Sequence, residues 1–282
     1  MSDNLSLCFK LNSDAVDYYE DVKVTFNFNG EETTVVVDKE TATVEFTDIA
    51  PDQLTESITA TIYGTSPSEG TELVGETLTY SVAEYCYTTL ANSSSASKAK
   101  LRTLLVDLLN YGAAAQEYTD TNLDNLANAE LTTTQEAWGT QEDPELTKNA
   151  TITNNMDGEK ANWISAKLIL KDSITIRFKF EASDIENLKV KVNGSNIASK
   201  NIVSAGEENK YYAIYEGIKA NQMRQDLSVV VYDGENAVSE TLTYSVEAYA
   251  THMSSAGEGE AFENLVFAMM KYGDSAKAYA GQ

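Results

Sequence analysis

The sequence predicts a mainly β protein with α-helices, an α+β fold of two tandem β-sandwich-like units that each end in a pair of packed α-helices. Three observations lead to this prediction: the chain repeats itself, its apolar residues alternate in short runs, and Asn-Gly pairs follow two of those runs. We expect the units at residues 1–120 and 161–282, joined by a polar linker at 121–160. A chain of 282 residues is long enough for two such domains.

The internal duplication is the strongest signal in the sequence. Residues 76–82 (ETLTYSV) recur letter for letter as residues 240–246. Upstream, ordered matches pair Leu5, Leu7, Phe9, Leu11, Phe46, Ile49, Gln53, Leu54, Ile58 and Tyr63 with Ile174, Ile176, Phe178, Phe180, Tyr215, Ile218, Gln222, Met223, Leu227 and Tyr232. So many matches in one order indicate that the two halves share one topology.

Alternation of apolar and polar residues predicts the strands. Residues 5–11 and 174–180 alternate with a period of two, as do residues 22–28 and 188–192. The last two runs lead into Asn29-Gly30 and Asn193-Gly194, pairs that tolerate the positive φ of a type I′ hairpin turn. Further strands are expected at 34–37, 42–46, 58–63, 211–215 and 227–232.

One strand pattern has no counterpart in the other half. Residues 163–170 read as a strand that precedes the second unit's alternating run, yet nothing corresponding to them stands before Leu5. Either the first unit lacks this strand, or the fragment begins beyond it. The sequence alone leaves both alternatives open.

Each half then turns helical, with apolar residues at helical spacing in 82–90, 101–118, 246–253 and 262–279. Gly112 and Gly273 lie inside two of these helices, where Gly costs about 1 kcal/mol relative to Ala. Because both halves keep the glycine, we expect another backbone to approach closely at that point. The helix pair is expected to dock on the sandwich.

Charge and cysteine content narrow the function classes. Lys and Arg number 20 against 44 Asp and Glu, a net charge of −24 that disfavours nucleic acids and anionic membranes as partners. The sequence contains no run of about 18 apolar residues, the length that would predict a membrane-spanning helix. Met1 to Asn4 carry no signal-peptide features, so an exported parent protein would have its signal upstream.

Cys8 and Cys86 lack metal-site spacing, and we expect two free thiols rather than a disulfide.

The sequence holds no recognised catalytic motif, and we expect no enzyme and no cofactor. His252 is the single histidine, without a Ser or Cys nucleophile motif nearby. An acidic hydrolase stays a third hypothesis, which would need two carboxyl groups roughly 5–10 Å apart in a cleft. The loops 154–159 and 233–236 offer the oxygen ligands that calcium prefers, but without EF-hand spacing they are expected to be ordinary turns, so no metal site is predicted.

Aromatic residues are the remaining clue: 16 Tyr, 8 Phe and 2 Trp. Rings matched between the halves are expected in the cores, whereas unmatched rings could stack on sugars. Tyr212 and Ile214 replace polar residues on the outer face of one strand, so either the other domain or the linker, or else a ligand, covers them. Our candidate ligand-binding platform is Trp138, Trp163, Tyr211 and Tyr212.

The runs YSVEAYA (244–250), AMMKYGDSAKAY (268–279) and LRTLLVDLLNYGAAAQEY (101–118) resemble modules in large cell-surface proteins of gut Firmicutes, especially ruminococcal ones. Such modules accompany carbohydrate-active and dockerin domains, so the resemblance implies a secreted or cell-surface setting associated with glycans. The shared motifs are structural, and the resemblance therefore transfers no binding residue.

These observations favour a non-catalytic, cell-surface carbohydrate-binding module for starch or another plant polysaccharide, with an α-glucan as the preferred partner. The alternative is a structural or adhesion spacer in a large surface protein, with no glycan site of its own. We expect a monomer within a larger multidomain protein. Open, coplanar rings would favour glycan binding, and rings plugged between domains would favour the spacer.

Overall fold

The computed structural model describes residues 5–47, 49–153, 160–170 and 174–281. The fold is α+β, as predicted: antiparallel sheets and α-helices pack around two hydrophobic cores. One core is built mainly from residues before position 132, and the other mainly from residues after position 160. The predicted domain boundaries agree with this division but stay a prediction.

The described residues of the first half form two antiparallel sheets and three α-helices. Their bounds are β1 Leu7–Lys10, α1 Ser13–Tyr18, β2 Glu20–Phe28, β3 Glu31–Val36, β4 Thr43–Phe46, β5 Ile58–Thr65, β6 Glu72–Tyr80, α2 Val82–Ala91 and α3 Ala99–Thr119. Strand β1 pairs with β4, and the other sheet has the order β3-β2-β5-β6. The alternating burial of Val22, Val24 and Phe26 turns one face of β2 to the core, as its sequence period requires.

The second half begins with short elements of the linker and continues into two larger sheets. The bounds are α4 Thr133–Glu136, β7 Thr151–Thr153, β8 Ala161–Leu170, β9 Ile174–Ala182, β10 Leu188–Val192, β11 Ser195–Asn196, β12 Ile202–Ser204, β13 Lys210–Ile218, β14 Leu227–Asp233, β15 Asn236–Ala237, β16 Thr241–Tyr244, α5 Val246–Ser254 and α6 Glu260–Ala280. One sheet has the order β12-β13-β9-β8, and the other β11-β10-β14-β16-β7 with β15 beside β14.

Residues that the duplication matches occupy the same register in both halves. Leu7 lies opposite Phe46 in the pair β1–β4, and their matches Ile176 and Tyr215 lie opposite each other in β9–β13. In the other sheets, Ile58 faces Tyr80 just as Leu227 faces Tyr244. The matched residues therefore have equivalent strand partners in the two halves.

Both predicted hairpin turns are confirmed. Asn29 and Gly30 have φ of 53° and 83°, and Asn193 and Gly194 have φ of 50° and 82°. Two successive positive φ angles are the mark of a type I′ turn, whose twist matches that of the flanking strands.

Helices α3 and α6 pack against each other and join the two halves. The rings of Tyr111 and Tyr272 stack there, with centroids 5.8 Å apart and planes 16° from parallel. Each tyrosine directly precedes the helical glycine that both halves share. Each helix buries a face made largely of small and aliphatic residues. This contact connects the two cores.

The helical glycines make room for side chains. A Cβ on Gly112 would lie 2.5 Å from Cδ1 of Leu54, and a Cβ on Gly273 would lie 2.7 Å from Sδ of Met223. Leu54 and Met223 are themselves a matched pair. The expectation of backbone approach was wrong at Gly112, whose nearest neighbours are side chains, whereas at Gly273 the backbone oxygen of Ala220 is also close, at 3.2 Å.

The predicted polar linker follows the surface of both halves. Ala127 is buried in the first core, and Thr140 donates from its backbone N–H and hydroxyl to the Asp107 carboxylate at 2.8 and 2.7 Å. Further along, the Glu145 carbonyl accepts a hydrogen bond from Arg224 of the second half, 3.0 Å away. The segment is therefore docked by specific hydrogen bonds. Across the described ranges, no helix is both long and apolar enough to cross a bilayer.

Candidate functional site

Two of the predicted ligand-binding rings belong to the inner layer of the second half. Trp163 of β8 and Tyr211 of β13 both lie opposite Phe180 of β9. The Trp163 ring meets the rings of Phe178 and Phe180 edge-on, with centroids 6.2 and 5.7 Å apart. Tyr211 tilts against Phe180 at 5.8 Å. Both rings are half-buried, and packing against the core accounts for their positions.

The other two rings lie elsewhere. Tyr212 points to the opposite face of β13 from Tyr211, where Arg177 and Lys179 stand over its ring, each 5.9 Å from the centroid. Both cations belong to the neighbouring strand β9, so the Tyr212 ring is covered in part by its own sheet. A cover from the other domain, the linker or a ligand stays a prediction.

Trp138 packs against the first core, beneath the guanidinium of Arg102, whose Cζ is 4.8 Å from the ring centroid. Its backbone carbonyl accepts a hydrogen bond from the Thr103 hydroxyl, 2.8 Å away. The structure thus brings Trp163 and Tyr211 to one face of one sheet, places Tyr212 on the other face, and packs Trp138 against the other core.

A groove of about 1160 Å³ lies in the first half, and we call it the edge groove. Strand β1, helix α1 and strand β6 form its walls, and its floor is the β2–β5 part of the sheet. Its lining is mainly aliphatic and aromatic, and includes Leu7, Phe9, Leu11, Leu78, Tyr80 and Tyr85. None of the predicted ligand-binding residues lines it.

The edge groove corresponds to the place that Trp163 fills in the second half. Trp163 packs against Phe178 and Phe180, and its indole N–H donates to the backbone carbonyl of Glu240 at 2.9 Å. The duplication matches these three residues with Phe9, Leu11 and Glu76, all of which line the edge groove. The residues that match the walls of the Trp163 site therefore line an open groove in the first half.

Burial of matched residues differs accordingly. Leu242 is 5% exposed, but its match Leu78 is 54% exposed. Two residues before the matched pair Glu240 and Glu76, Val238 is 5% exposed and Val74 is 67% exposed. Apolar side chains that are core in one half are thus exposed in the other.

The two halves differ in strand pairing along this edge. In the second half, β9 lies between β13 and β8, so both of its edges are paired. In the described part of the first half, β1 pairs with β4 on one edge, and no described strand pairs with its other edge.

The edge groove offers shape and apolar surface. Its charged lining residues are Lys10, Asp14 and Glu76.

The Cys8 thiol on β1 is exposed, whereas Cys86 is buried in the first core, and both are free as predicted. Burial raises the pKa of the Cys86 thiol to about 12, so this sulfur stays protonated.

Metal ligation finds no support in the described ranges, where no three His, Cys, Asp or Glu side chains cluster to hold an ion. Of the two loops with oxygen ligands, 154–159 lies outside the described residues. The other contains the hairpin turn between β14 and β15, in which Gly234 has φ of 62°.

Sequence reasoning missed the edge groove, although a signal for it was present. The match of Leu78 with Leu242 and of Phe9 with Phe178 indicated inner-face residues, and no described residues of the first half correspond to the strand 163–170. Together these observations predict an open edge within the described residues.

No protein-family model matches this chain, and no curated protein matches it significantly.

Proposed function

We propose that this chain is a non-catalytic adhesion module of a larger cell-surface protein, and that it adheres through the edge groove. One observation carries the proposal: the residues that hold Trp163 in the second half have matches in the first half that line an open groove. A binding site is favoured because apolar surface of this extent is stabilised when it is covered.

The chemistry of the lining supports binding rather than catalysis. Ligand sites are typically concave and mostly apolar, with a few polar groups that fix orientation. The edge groove fits this description, with the Glu76 backbone as a polar group matched to the acceptor that Trp163 uses. A secreted or cell-surface location stays part of the proposal, on the resemblance to surface modules.

Carbohydrate binding is the second candidate, with starch or another α-glucan as its ligand. The observation that favours it is the exposure of Tyr18 and Tyr85, two rings at the edge groove that could stack on sugar faces. The platform predicted from sequence, Trp138, Trp163, Tyr211 and Tyr212, ranks lower because packing contacts engage all four rings.

A neutral apolar dye tests whether the edge groove binds at all. Nile red fluorescence should rise with the full chain, and Leu78→Glu should remove most of the rise because it places a charge in the groove. Leu123→Glu is the matched control, since Leu123 is similarly exposed but does not line the groove. Equal dye binding by both variants would overturn the proposal.

Retention on insoluble starch, cellulose and xylan separates the two candidates. Adhesion to protein predicts no retention on any of them. Retention on one polysaccharide that Tyr18→Ala and Tyr85→Ala abolish, in variants that remain folded, would establish the carbohydrate alternative at the groove. Retention lost instead in Trp138→Ala or Tyr212→Ala would place the sugar site at those rings.

A further inference from the structure

We propose that the edge groove binds an extended strand of a partner polypeptide, which adds antiparallel to β1 and places an aromatic ring between the sheets. This inference rests on the proposed adhesive function and specifies its partner. The structure supplies a template for the bound strand in β8, which covers the matching edge of the second half.

The open edge of β1 favours a polypeptide. An unpaired strand edge presents a row of N–H and C=O groups that a further strand can satisfy, and peptides commonly bind by this route. Strand β8 pairs with β9 along nearly its whole length, from Ala161 opposite Ala182 to Leu170 opposite Ile174. A glycan would leave the backbone groups of β1 without such a ladder.

The register of β8 defines the side chains that the groove should select. Trp163 lies opposite Phe180, Ala166 opposite Phe178, and Leu168 opposite Ile176. The matching residues of β1 and its extension are Leu11, Phe9 and Leu7. The bound strand should therefore carry an aromatic residue, a small residue three positions later, and an aliphatic residue two positions after that.

The aromatic residue should be tryptophan, because the site also contains a matched acceptor. In the second half the indole N–H donates to the Glu240 carbonyl, and Glu76 occupies the matching position in the groove lining. A buried Trp N–H needs a partner, and phenylalanine would leave this acceptor unused.

Charge favours a basic strand. The residues of 160–170 include Lys160 and Lys167 and no acidic residue, whereas the whole chain carries a net charge of −24. Asp14 and Glu76 line the edge groove against one cation, Lys10. An acidic surface raises the rate at which a basic segment associates and repels an acidic one.

The same argument disfavours a second copy of this chain as the occupant. A second copy brings another net charge of −24, and its own β8 is already paired with its own β9. A segment that is unpaired in its parent protein has no such competition.

Binding of a synthetic peptide with the sequence of 160–170 (KANWISAKLIL) tests the inference on the full chain. Fluorescence polarisation of the labelled peptide should show saturable binding. Replacing its Trp by Ala should weaken binding about tenfold or more, as loss of a central aromatic anchor does. Leu78→Glu in the chain should weaken binding comparably, and Leu123→Glu should not.

A thiol-exchange reaction reports the register and separates the edge groove from the second half. Cys8 lies between Leu7 and Phe9 and so matches Arg177, which faces Lys167 of β8. A peptide carrying a cysteine at the Lys167 position, activated as a mixed disulfide with an aromatic thiol, should therefore couple to Cys8. The Cys8 thiolate attacks the peptide sulfur, and the aromatic thiolate leaves. A peptide with its activated cysteine at the Ala166 position, which faces inward, should couple at least about tenfold more slowly.

Four results would overturn the inference. Equal coupling rates for the two peptides would exclude the β8-like register. Absence of peptide binding by a chain that binds Nile red in the edge groove would reject a strand ligand while leaving the adhesive site intact. Displacement of Nile red by soluble α-glucan but not by peptide, or a dimer in sedimentation equilibrium that Leu78→Glu dissociates, would assign the groove to a sugar or to a second copy.

Discussion

The indole N–H of Trp163 donates a hydrogen bond to the backbone carbonyl of Glu240 across the two sheets of the second half, at 2.9 Å. Trp163 belongs to β8 at the edge of one sheet, and Glu240 directly precedes β16 of the other. The bond and the ring contacts with Phe178 and Phe180 close this side of the sandwich. The corresponding side of the first half is the edge groove.

Replacing Trp163 should destabilise the chain even though the ring was predicted to bind a ligand. We expect Trp163→Ala to lower the free energy of unfolding by about 3 kcal/mol, because a large ring leaves the inner layer. Trp163→Phe should lower it by about 1 kcal/mol, since that change mainly removes the hydrogen bond. Urea unfolding followed by circular dichroism measures both.

Tyr212→Ala is the control for the Trp163 variants, because Tyr212 lies on the outer face of β13 and has cation contacts worth about 1 kcal/mol or less. If Trp163→Ala cost no more than Tyr212→Ala, the closing role of Trp163 would be refuted.

The two helical glycines should respond differently to alanine. At Gly112 the new methyl group would meet Leu54 Cδ1 at 2.5 Å and Ala127 Cβ at 2.9 Å. Overpacking costs about 1–3 kcal/mol, and the gain of about 1 kcal/mol in helix propensity offsets only part of it. We expect Gly112→Ala to lower the unfolding free energy by about 1–2 kcal/mol in urea titrations.

Gly273→Ala should be milder than Gly112→Ala, because the closest atom, Sδ of Met223, belongs to a flexible side chain. Adding Leu54→Ala to Gly112→Ala should cost less than the sum of the two single changes, since the shortened side chain makes room. Additive effects would show that the steric contact does not limit this site.

Asp107 should make the stability of the helix junction depend on pH. Burial raises the pKa of its carboxyl above the ordinary value of 3.8, although hydrogen bonds from Thr140 and Ser275 and the charge of Lys271 oppose the rise. A raised folded-state pKa means that Asp107 stabilises the fold below pH 3.8 and loses this contribution as the pH rises through the folded value.

Asp107→Asn removes this titration. The unfolding free energy of the variant relative to the natural chain should therefore increase as the pH rises from about 4 to 7. Urea unfolding of both proteins at several pH values tests this. A difference that stays constant, or that falls with rising pH, would contradict the raised pKa.

The two thiols should differ sharply in reactivity. Cys8 is exposed, while Cys86 is buried and its pKa is raised to about 12, so its reactive thiolate is scarce at pH 8. A colorimetric disulfide reagent should titrate one thiol in the native chain and two in denaturant. Cys8→Ser should abolish the native reaction, and rapid reaction of both thiols would show that the first core opens readily.

Much of the fold could be predicted because local chemistry determines it. Period-two alternation gave β2, β9 and β10, and the Asn-Gly pairs gave two hairpin turns. The short helix α1 was missed, because it has a single buried residue, Val16, and its start depends on Asn12, whose side chain accepts from the Ala15 N–H at 3.2 Å. Such caps are recognisable only when the following helix shows an apolar period.

The candidate site was harder to predict because the exposure of its residues depends on which other strands cover them. Leu78 and Leu242 stand in identical heptapeptides, yet Leu242 is buried in a strand paired on both edges, by β14 and β7, whereas Leu78 is exposed on the edge strand β6. Trp163 was chosen as a candidate ligand-binding ring because the first half has no match for it. The same residue lies opposite Phe180, whose match Leu11 lines the edge groove.

Hydrogen–deuterium exchange of the full chain, with and without the peptide of 160–170, tests the central claim most directly. Without peptide, amides of Leu7–Lys10 should exchange faster than those of Ile174–Ala182, because β1 is paired on one edge and β9 on both. Saturating peptide should slow exchange in Leu7–Lys10 by about tenfold or more and leave Ile174–Ala182 unchanged. Exchange in β1 that is already as slow as in β9, or peptide protection confined to the second half, would contradict an open, strand-binding edge.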